Sequence, residues 1–302
     1  MTVVDNSGKG LARQRLTDLS GVTIIDAPRN LGFGSAVNEG WRQSGSPLLA
    51  TLNDDAVAHP GWLAAMVRTL ESDPETGMCA SQVRLYGEDQ LDSAGMLIAG
   101  DGSSKQRGHL YPFDWFHKCE EVLFPSGSAA LYRRSMLDVI GGFDDDFFLY
   151  CEDTDLGLRA RWAGWKCLYA PDAIVQHHYS HSAGRASPLK AYYVERNRLF
   201  VLAKNFPARM LLRAPFVTLA RYTWHVLWMM RGRGSAARFR QEGNSAVRMV
   251  LVVIQAHFEL LRHCRALWRK RRQIRSSARI EPAAFCRLLR AHAISARKVA
   301  EL

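Results

Sequence analysis

The sequence lacks paired cysteines, a signal-peptide core and repeats, and these absences limit the class of protein that it can encode. Its six cysteines, at positions 79, 119, 151, 167, 264 and 286, form no Cys-x-x-Cys pair. That spacing argues against a disulfide framework or a zinc site and favours reduced thiols in the cytosol. The first ten residues, MTVVDNSGKG, hold no apolar signal-peptide core, which argues against export by that route. We also find no internal repeat and no low-complexity linker.

Acidic residues are scarce in the last third of the chain. Residues 204–302 contain 21 Lys and Arg against 4 Asp and Glu, a net charge of +17, whereas residues 1–203 carry 19 against 25, a net charge of −6. We therefore expect a mildly acidic body, residues 1–207, and a basic amphipathic helical region, residues 208–302. Such a region can meet nucleic acid or an anionic membrane, and charge alone does not distinguish these partners.

A long apolar run without charge is missing as well. Residues 210–230 are long enough to span a bilayer, but Arg221 lies near their centre, at a cost of about 2.5–3.5 kcal/mol on insertion scales. Arg213 and Pro215 weaken a span further. We interpret this segment as a helix that lies in the membrane plane or docks on the body.

Short β-rich runs alternate with helical stretches in the first part of the chain. Strands are predicted at residues 2–4, 22–25 and 48–52, with helices at residues 35–44 and 62–70. This alternation indicates an α/β fold with a parallel or mixed sheet. Ligands bind at the carboxyl ends of strands in such sheets, where the stretches DNSGKG, NDDA and CEDTD would lie.

The later part of the body predicts further elements around polar stretches. A short helix is expected at residues 134–140 with a stop at Gly142, and another at residues 154–163 closed by Gly164. A strand, a turn at Pro171 and a second strand then lead to His177.

Like charges crowd the stretch FLYCEDTDLGLRARWAGWK, in which Glu152, Asp153 and Asp155 fall within four positions. Their repulsion raises pKa values unless a cation, a proton or a substrate relieves it. A helix start also suits acids, and Asp155 can pair with Arg159 one turn later. Glu152 and Asp153 remain without such an explanation.

The stretch LNDDA places Asn53, Asp54 and Asp55 at a predicted strand end. Two carboxylates beside an amide form a hard-oxygen site suited to Mg²⁺ or Mn²⁺ with room for a diphosphate. The alternative is an Asx turn that caps the helix beginning at Pro60.

Three histidines, His177, His178 and His181, follow a predicted strand. Neighbouring residues of a strand face opposite sides, so His177 and His178 point into one cleft only if the strand has ended. A lone histidine is more often structural than a ligand, but together with NDDA and CEDTD one of the three becomes a candidate metal ligand. A glycine-rich stretch, residues 29–40, has the pattern NxGxG and is a weak signal for a phosphate loop.

Six stretches now stand in a recognisable order: VVDNSGKG, NLGFGSAVNEG, TLNDDAVAHPGWL, GSAALYRRSMLDVIGGFDDDFFLYCEDTDLGLRARWAGW, APDAIVQHHYSHSAG and YYVERNRLFVLAKNFP. This series closely resembles family-2 glycosyltransferases of the GT-A fold, notably the branch of rhamnosyl- and galactofuranosyltransferases that build bacterial surface polysaccharides. The resemblance covers residues 2–207 and implies a Rossmann-like, mostly parallel mixed sheet with flanking helices.

The resemblance implies a role for each matching residue. Asp55 occupies the DxD-type position that contacts metal and diphosphate, with Asn53 in place of its first acid; His177 completes the metal site. Asp153 matches the general base, with Glu152 beside it. The nucleotide donor would be held by Asp5, Asn30, Gly32, Asn53, Asp54 and Asp55, with Asp5 contacting the nucleobase.

The implied function is inverting, metal-dependent transfer of a sugar, with rhamnose as the guess, from a dTDP- or UDP-sugar to a lipid-linked or glycan acceptor. A cation, Mg²⁺ or Mn²⁺, would neutralise the leaving diphosphate, and a carboxylate would take the acceptor proton. We expect a cytoplasmic protein, peripheral on the inner face of an anionic cell membrane. Two alternatives are a catalytically silent scaffold and a nucleic-acid-binding protein that uses residues 269–272, RKRR; no nucleic-acid partner is expected.

The start of the chain departs from the family pattern. Relatives begin with a strand and a helix before the VVDNS strand, which starts here at Thr2. The absent strand would lie inside the sheet, beside the strand that carries Asp5, and its loss would leave unpaired strand edges. We therefore expect the 302-residue form to be poorly soluble and weakly active, and an upstream extension of roughly thirty to forty residues to restore both properties. The alternative is that the strands re-pair.

Overall fold

The computed structural model describes residues 1–16, 19–178 and 187–302, and its strands form one large sheet and two small ones. The strands are β1 (Thr2–Asp5), β2 (Thr23–Asp26), β3 (Leu48–Leu52), β4 (Ala56–Ala58), β5 (Thr76–Leu85), β6 (Leu91–Ser93), β7 (Met96–Ile98), β8 (Ser104–Gln106), β9 (Glu120–Glu121), β10 (Ala129–Arg133) and β11 (Lys166–His177).

Helices flank the sheets and make up most of the last third. They are α1 (Leu11–Leu16), α2 (Phe33–Gln43), α3 (Trp62–Glu71), α4 (Arg134–Ile140), α5 (Glu152–Trp162), α6 (Pro188–Asn205), α7 (Ala208–Leu211), α8 (Ala214–Met230), α9 (Gly234–Gln241), α10 (Ala246–Arg262), α11 (Cys264–Ser276), α12 (Pro282–Ala291) and α13 (Ala296–Glu301).

The main sheet is mixed, with the strand order β3-β10-β5-β11-β4; β6 pairs with β5 and β9 pairs with β11. Strands β5 and β11 run parallel, and β10 runs antiparallel to both β3 and β5. This confirms the predicted α/β class with a mixed sheet. It also brings the carboxyl ends of β3 and β11 to the turn that leads into β4.

Strands β1 and β2 stand apart from this sheet. They pair with each other in parallel, with Asp5 opposite Asp26, as a separate two-stranded sheet. In the described part of the chain, β3 pairs with β10 and with no other strand. The alternative in which the strands re-pair is therefore not the arrangement seen here.

A predicted turn and a predicted helix start near the site need correction. The turn expected at Pro171 is absent, because β11 runs on as one strand with an irregularity between Ala170 and Ile174 that absorbs the proline. Helix α5 starts at Glu152, two residues earlier than predicted, because Cys151 in the left-handed region (φ 63°) ends the preceding loop. Both acids thus lie in the first turn of the helix.

The basic region packs against the body. Trp162 of α5 stacks on Phe285 of α12 with ring centroids 3.8 Å apart. Leu267, Ile274 and Phe285 join the same buried cluster as the sheet residues. Residues 208–302 therefore contribute to the main hydrophobic core.

Helix α8 contains the arginine that argued against a membrane span. Arg221 is buried and bonds Asp101 at 2.6 Å and Glu195 at 2.9 Å. These pairs satisfy the charge inside the protein. No single helix in the described ranges is long and apolar enough to cross a bilayer, although α9 and α10, bent at 119°, meet the length and composition test together.

Candidate active site

A chain of three side chains links the turn after β3 to the end of β11. His177 pairs with Ala56 of β4 in the strand register, which brings it beside Asp55. Its Nε2 lies 3.0 Å from Asp55 Oδ1, and its Nδ1 lies 2.8 Å from Asp92 Oδ2. Asp92, on β6, is almost completely buried. The predicted pair of metal ligands is thus in contact, with a third residue behind it.

The charges around His177 are tightly balanced. Burial alone would lower the pKa of His177, but Asp92 and Asp55 raise it above its usual value. Burial alone would raise the pKa of Asp92, but hydrogen bonds with His109 and His177 hold it below its usual range. Asp92 is therefore a carboxylate that fixes the orientation of the His177 ring.

Asp55 and His177, called the metal pair below, fit a divalent cation. Ligand atoms on one octahedral ion with bonds of about 2.1 Å lie about 3 Å apart, close to the measured separation. A proton on Nδ1, held by Asp92, puts the lone pair of His177 on Nε2, the nitrogen that lies beside Asp55. The described residues contain no group of three His, Cys, Asp or Glu arranged for a metal, so within residues 1–16, 19–178 and 187–302 the candidate site consists of this pair.

Asp153 lies at the start of α5 as a hydrogen-bonded carboxylate. Its Oδ2 accepts from the Gly127 backbone N–H at 3.1 Å, and its Oδ1 accepts from the Thr154 backbone N–H at 2.6 Å. Burial raises the pKa of Asp153 above its usual range, although these hydrogen bonds oppose the shift. Such a carboxylate is held in place yet is a stronger base than an exposed one.

Glu152 beside it is in a different state. It is buried, and its Oε2 has no hydrogen-bond partner among the described residues. Burial and the charge of Asp153 raise the pKa of Glu152 to about 8. At neutral pH Glu152 therefore holds a proton, which removes the repulsion between the two adjacent acids.

Replacing Glu152 with Gln should flatten the dependence of stability on pH. The folded pKa of about 8 lies above the ordinary 4.5, so between these values the folded state holds a proton that the unfolded chain releases. Stability therefore falls as pH rises through this window, by a few kcal/mol at most at about 1.4 kcal/mol per pKa unit. Urea unfolding at pH 5 and pH 8 would measure the difference between Glu152→Gln and the wild type.

The exposed Glu88→Gln variant is the matched control and should keep the wild-type slope. An unchanged fall in stability between pH 5 and pH 8 in Glu152→Gln would show that Glu152 is ionised in the folded protein.

The segment Gly127–Ser128 connects the two halves of the site. Gly127 donates to Asp153, and its carbonyl accepts from the Thr51 hydroxyl at 3.1 Å. The Ser128 carbonyl accepts from the Asn53 backbone N–H at 2.9 Å. Asp153 and the NDD stretch therefore lie against the same two residues, although they are about a hundred residues apart in the chain.

The glycine-rich loop forms another wall of the site. Asn6 donates from Nδ2 to Asn30 Oδ1 at 3.2 Å and accepts from the Leu31 N–H at 2.7 Å. Gly32 has φ 83°, and a Cβ there would lie 2.0 Å from the Phe148 carbonyl oxygen. Only glycine fits this close approach. An open cleft beside the loop is lined by Arg29, Asn30, Leu31, Ser35, Glu39, Arg42, Asp145 and Phe148.

Asp5 shapes the turn after β1. Its two carboxylate oxygens accept from the backbone N–H groups of Ser7 at 2.9 Å and Ala12 at 2.7 Å. Hydrogen bonds from Ser7 and Ala12 hold the pKa of Asp5 below its usual range. The structure thus shows a role for Asp5 in the turn, and its contact with a nucleobase stays a prediction.

A strained loop leads into the two acids. Phe148, Tyr150 and Cys151 have φ values of 53°, 66° and 63°, a region that costs side-chain-bearing residues free energy and clusters at functional sites. Asn197 of α6, fully buried, places its Nδ2 within 2.7–2.8 Å of the carbonyls of Phe147, Leu149 and Tyr150. It clamps the loop.

Comparison with known proteins identifies the family. Residues 3–200 match the model of the family described as glycosyltransferase like family 2. The chain belongs to this family. The resemblance drawn from the six stretches of sequence is therefore confirmed.

Curated relatives place this member of glycosyltransferase family 2 in the rhamnosyltransferase branch. The N-acetylglucosaminyl-diphospho-decaprenol L-rhamnosyltransferase of Mycobacterium tuberculosis (strain H37Rv) is 33% identical over 198 residues, which cover 57% of this chain and 64% of the relative. Rhamnosyltransferase WbbL of Escherichia coli (strain K12) is 42% identical over 67 residues, 22% of this chain and 25% of the relative. The match thus spans less than two thirds of each relative.

Solved structures confirm the expected GT-A fold. GalNAc-T7 with UDP, GalNAc and Mn²⁺ superposes with a TM-score of 0.57 at 14% identity, covering 73% of this chain and 44% of that one. The mannosyltransferase PcManGT of Pyrobaculum calidifontis with GDP-Man and Mn²⁺ gives 0.51 at 15% identity, covering 91% and 75%.

The remaining predicted residues take varied places in this family-2 member. Asp54 is exposed beside the metal pair. His178 is exposed too, and its ring stacks on Tyr86 at 3.8 Å, so it faces away from His177. His181 lies outside the described residues. Asp155 pairs with Arg159 at 2.8 Å, as predicted from their spacing.

Proposed function

We propose that the protein is an inverting glycosyltransferase that moves a sugar from a nucleoside-diphosphate donor to a hydroxyl of a lipid-linked or polysaccharide acceptor. One observation carries the proposal: Asp153 and the NDD stretch both form hydrogen bonds with the two-residue segment Gly127–Ser128. This arrangement sets a carboxylate base near the residues that hold the donor. Family membership and the rhamnosyltransferase relatives support it.

Asp153 takes the proton of the acceptor hydroxyl as that oxygen attacks the sugar. The Gly127 and Thr154 N–H groups keep its carboxylate oriented, and the raised pKa makes it a stronger base. Glu152, protonated at neutral pH, adds no second negative charge beside it. We assign base catalysis to Asp153 and the tuning of its charge to Glu152.

The metal pair would hold Mn²⁺ or Mg²⁺, which when bound neutralises the leaving diphosphate. The imidazole of His177 favours Mn²⁺, since Mg²⁺ takes mainly oxygen ligands. Asp92 keeps the His177 ring oriented with Nε2 toward Asp55. The Asn53–Asp54 backbone and the Asn30–Gly32 loop would position the donor, and Asp5 its base.

The donor proposed is a dTDP- or UDP-sugar, with rhamnose as the sugar. Two facts support it: the curated relatives are rhamnosyltransferases, and the solved structures of similar fold hold UDP or GDP-Man. A panel of nucleotide sugars, assayed with Mn²⁺ for release of nucleoside diphosphate and for glycosylation of lipid-linked sugars, tests the proposal. Nucleotide binding without turnover of any donor would instead indicate a silent scaffold.

We further propose that the enzyme works at the cytoplasmic face of an anionic membrane. Helix α10 packs one side on α6 and turns a second apolar side outward, which a free soluble surface rarely does. The outward side chains follow helical spacing, and arginines lie near both ends. These exposed side chains are Val247, Val250, Ile254, Phe258 and Leu261.

The Ile254→Glu/Phe258→Glu double variant should lose binding to phosphatidylglycerol vesicles by at least about tenfold. Each large apolar side chain contributes about 1.5–3 kcal/mol when buried, and 1.4 kcal/mol is a factor of ten. Sedimentation with the vesicles measures the fraction of each protein that is bound. Deleting residues 208–302 would be a poorer test, because that region is part of the main core.

The Val139→Glu variant, on α4 with a similarly exposed side chain (47%), is the control and should pellet like the wild type. Vesicle binding by the double variant equal to that of Val139→Glu would contradict the membrane proposal.

A further inference from the structure

Strand β8 turns one of its faces toward both halves of the candidate site. Ser104 and Gln106 are two positions apart in this strand, so their side chains leave the same face, and Lys105 between them leaves the other. The register with β7 places Ser104 opposite Ile98. Gln106 lies opposite Met96, and both of these partners are buried. The face that carries Ser104 and Gln106 is therefore the inner face of the hairpin.

The Ser104 end of this face supports the start of α5. The Ser104 and Thr154 hydroxyls lie 2.8 Å apart, and the fully buried Thr154 donates from its hydroxyl to Asp153 Oδ1 at 3.2 Å. A threonine hydroxyl carries one proton. Because that proton is directed at Asp153, Ser104 is the donor in its bond with Thr154. Ser104 therefore orients the hydroxyl that holds the proposed base.

The Gln106 end of the same face reaches the residue behind the metal pair. Gln106 donates from Nε2 to Asp92 Oδ1 at 3.4 Å, and Asp92 Oδ2 lies 2.8 Å from Nδ1 of His177. The backbone fixes this alignment, since the Ala94 N–H donates to the Arg107 carbonyl at 2.9 Å. Gln106 is therefore held beside Asp92 by backbone pairing as well as by its own side chain.

These contacts complete a closed ring through the residues of the site. On one side, Gly127–Ser128 joins Asp153 to the NDD stretch, and the metal pair joins that stretch to Asp92. On the other side, β8 joins Asp92 back to Asp153 across two residue positions, a span of about 7 Å. The separation between the base and the metal pair is thus fixed from two directions.

We propose that Ser104 and Gln106 are positioning residues that set the spacing between the base and the metal pair for sugar transfer. The inference rests on the proposed function, because it takes Asp153 as the base and the metal pair as ligands of the cation. Ser104 acts through Thr154, and Gln106 acts through Asp92. Such spacing matters because a misplacement of about 1 Å can cost roughly 10²-fold in rate.

Removing the Ser104 hydroxyl should slow the chemical step and leave metal binding alone. Ser104→Ala should lower kcat about fivefold, the effect of losing one hydrogen bond, while the Kd for Mn²⁺ and the KM for the donor stay within about twofold of wild type. Ser104→Thr keeps the hydroxyl and should keep the wild-type kcat. Steady-state kinetics at saturating Mn²⁺ measures the split between kcat and KM.

Removing the Gln106 amide should have the opposite signature. Gln106→Met keeps the length of the side chain but loses the donor, and it should raise the Kd for Mn²⁺ about threefold. Its kcat at saturating Mn²⁺ and donor should stay within about twofold of wild type. Electron paramagnetic resonance of the free ion measures the Kd for Mn²⁺ without donor and without turnover.

Lys105→Gln is the matched control, because Lys105 lies on the opposite face of the same strand. It should equal the wild type in both kcat and the Kd for Mn²⁺. Thermal unfolding checks that every variant folds. If Ser104→Ala unfolds, Thr154→Val removes the same link from its other side and should lower kcat at least as much.

Equal kcat in Ser104→Ala and Lys105→Gln, or equal Kd for Mn²⁺ in Gln106→Met and Lys105→Gln, would overturn the spacing role. Variants in which kcat and Kd change together would also overturn it, because that pattern indicates a general loosening of β8. Absence of donor turnover by the wild type would refute the proposed function and the Ser104 part of the inference, while the Mn²⁺ comparison alone still decides on Gln106.

Discussion

The Asp153→Asn variant should lose sugar transfer by roughly 10²–10⁴-fold, the usual contribution of a general base. The amide keeps the shape of the side chain, and its one oxygen can accept either the Gly127 or the Thr154 N–H, so one of the two hydrogen bonds at the start of α5 is kept. It cannot take a proton from the acceptor. Donor affinity, measured by calorimetry with Mn²⁺, should therefore stay near that of the wild type while kcat falls.

Two comparisons make this result specific to Asp153. Asp138→Asn, an exposed carboxylate on α4, should be as active as the wild type. Glu152→Gln should keep more activity than Asp153→Asn, since Glu152 is already protonated at neutral pH. If Asp153→Asn turned over as fast as Asp138→Asn, another group would have to be the base.

Removing either member of the metal pair should weaken metal-dependent donor binding. Asp55→Ala and His177→Ala each delete one of two side-chain ligands 3.0 Å apart, and we expect the donor Kd with Mn²⁺ to rise at least tenfold. Asp92→Asn should raise the donor Kd less than either of these exchanges does, by about tenfold, the lower end of the range for residues that orient a metal ligand. Calorimetry with and without Mn²⁺ measures both effects.

The control for the metal pair is Asp172→Asn, an exposed acid on the same strand as His177. It should bind the donor as the wild type does. Wild-type donor affinity in His177→Ala, or the same affinity with excess EDTA as with Mn²⁺, would contradict the metal assignment.

The bounds of some strands and helices could be predicted because they are decided by neighbouring residues in the sequence. Strand β3 and helix α4 have the predicted bounds, since apolar runs and glycine stops decide them. The turn predicted at Pro171 was wrong. Strand β11 continues through this residue, because its pairing with β5 on both sides of the irregularity outweighs the turn preference of proline. The early start of α5 depends on a left-handed Cys151, which no sequence rule favours.

The residues of the candidate site also fall into two groups: those indicated by sequence motifs and those whose contacts depend on distant parts of the chain. The contact between Asp55 and His177 could be predicted because both residues follow motifs at strand ends. Asp153 could be singled out by its motif at the start of α5, and its role as the base stays a prediction. Asp92 and Asn197 were missed because their roles come from distant pairings: Asp92 reaches His177 only when β6 pairs with β5. Asn197 reaches its loop only when α6 packs beside it. An acid in a short apolar strand was the one available signal for Asp92.

The basic region shows the limit of charge counting. A net charge of +17 over residues 204–302 suggested a region separate from the body. The structure uses several of these charges internally: Lys204 and Lys270 both bond Asp144, each at 2.5 Å, and lower its pKa well below the usual range, against the effect of burial. Arg275 lies over the ring of Trp162 at 3.4 Å. Only the basic residues of this region that make no such internal contact are available to a membrane.

The central claim is that the protein transfers a sugar in a metal-dependent reaction with Asp153 as the base. The most direct test is to measure sugar transfer by the wild-type protein with and without a divalent metal. With Mn²⁺ and a dTDP- or UDP-sugar, we predict one nucleoside diphosphate released for each acceptor glycosylated, with the anomeric configuration inverted. Excess EDTA should stop the reaction, and so should the Asp153→Asn exchange. Undiminished transfer in EDTA, or in Asp153→Asn, would contradict the account.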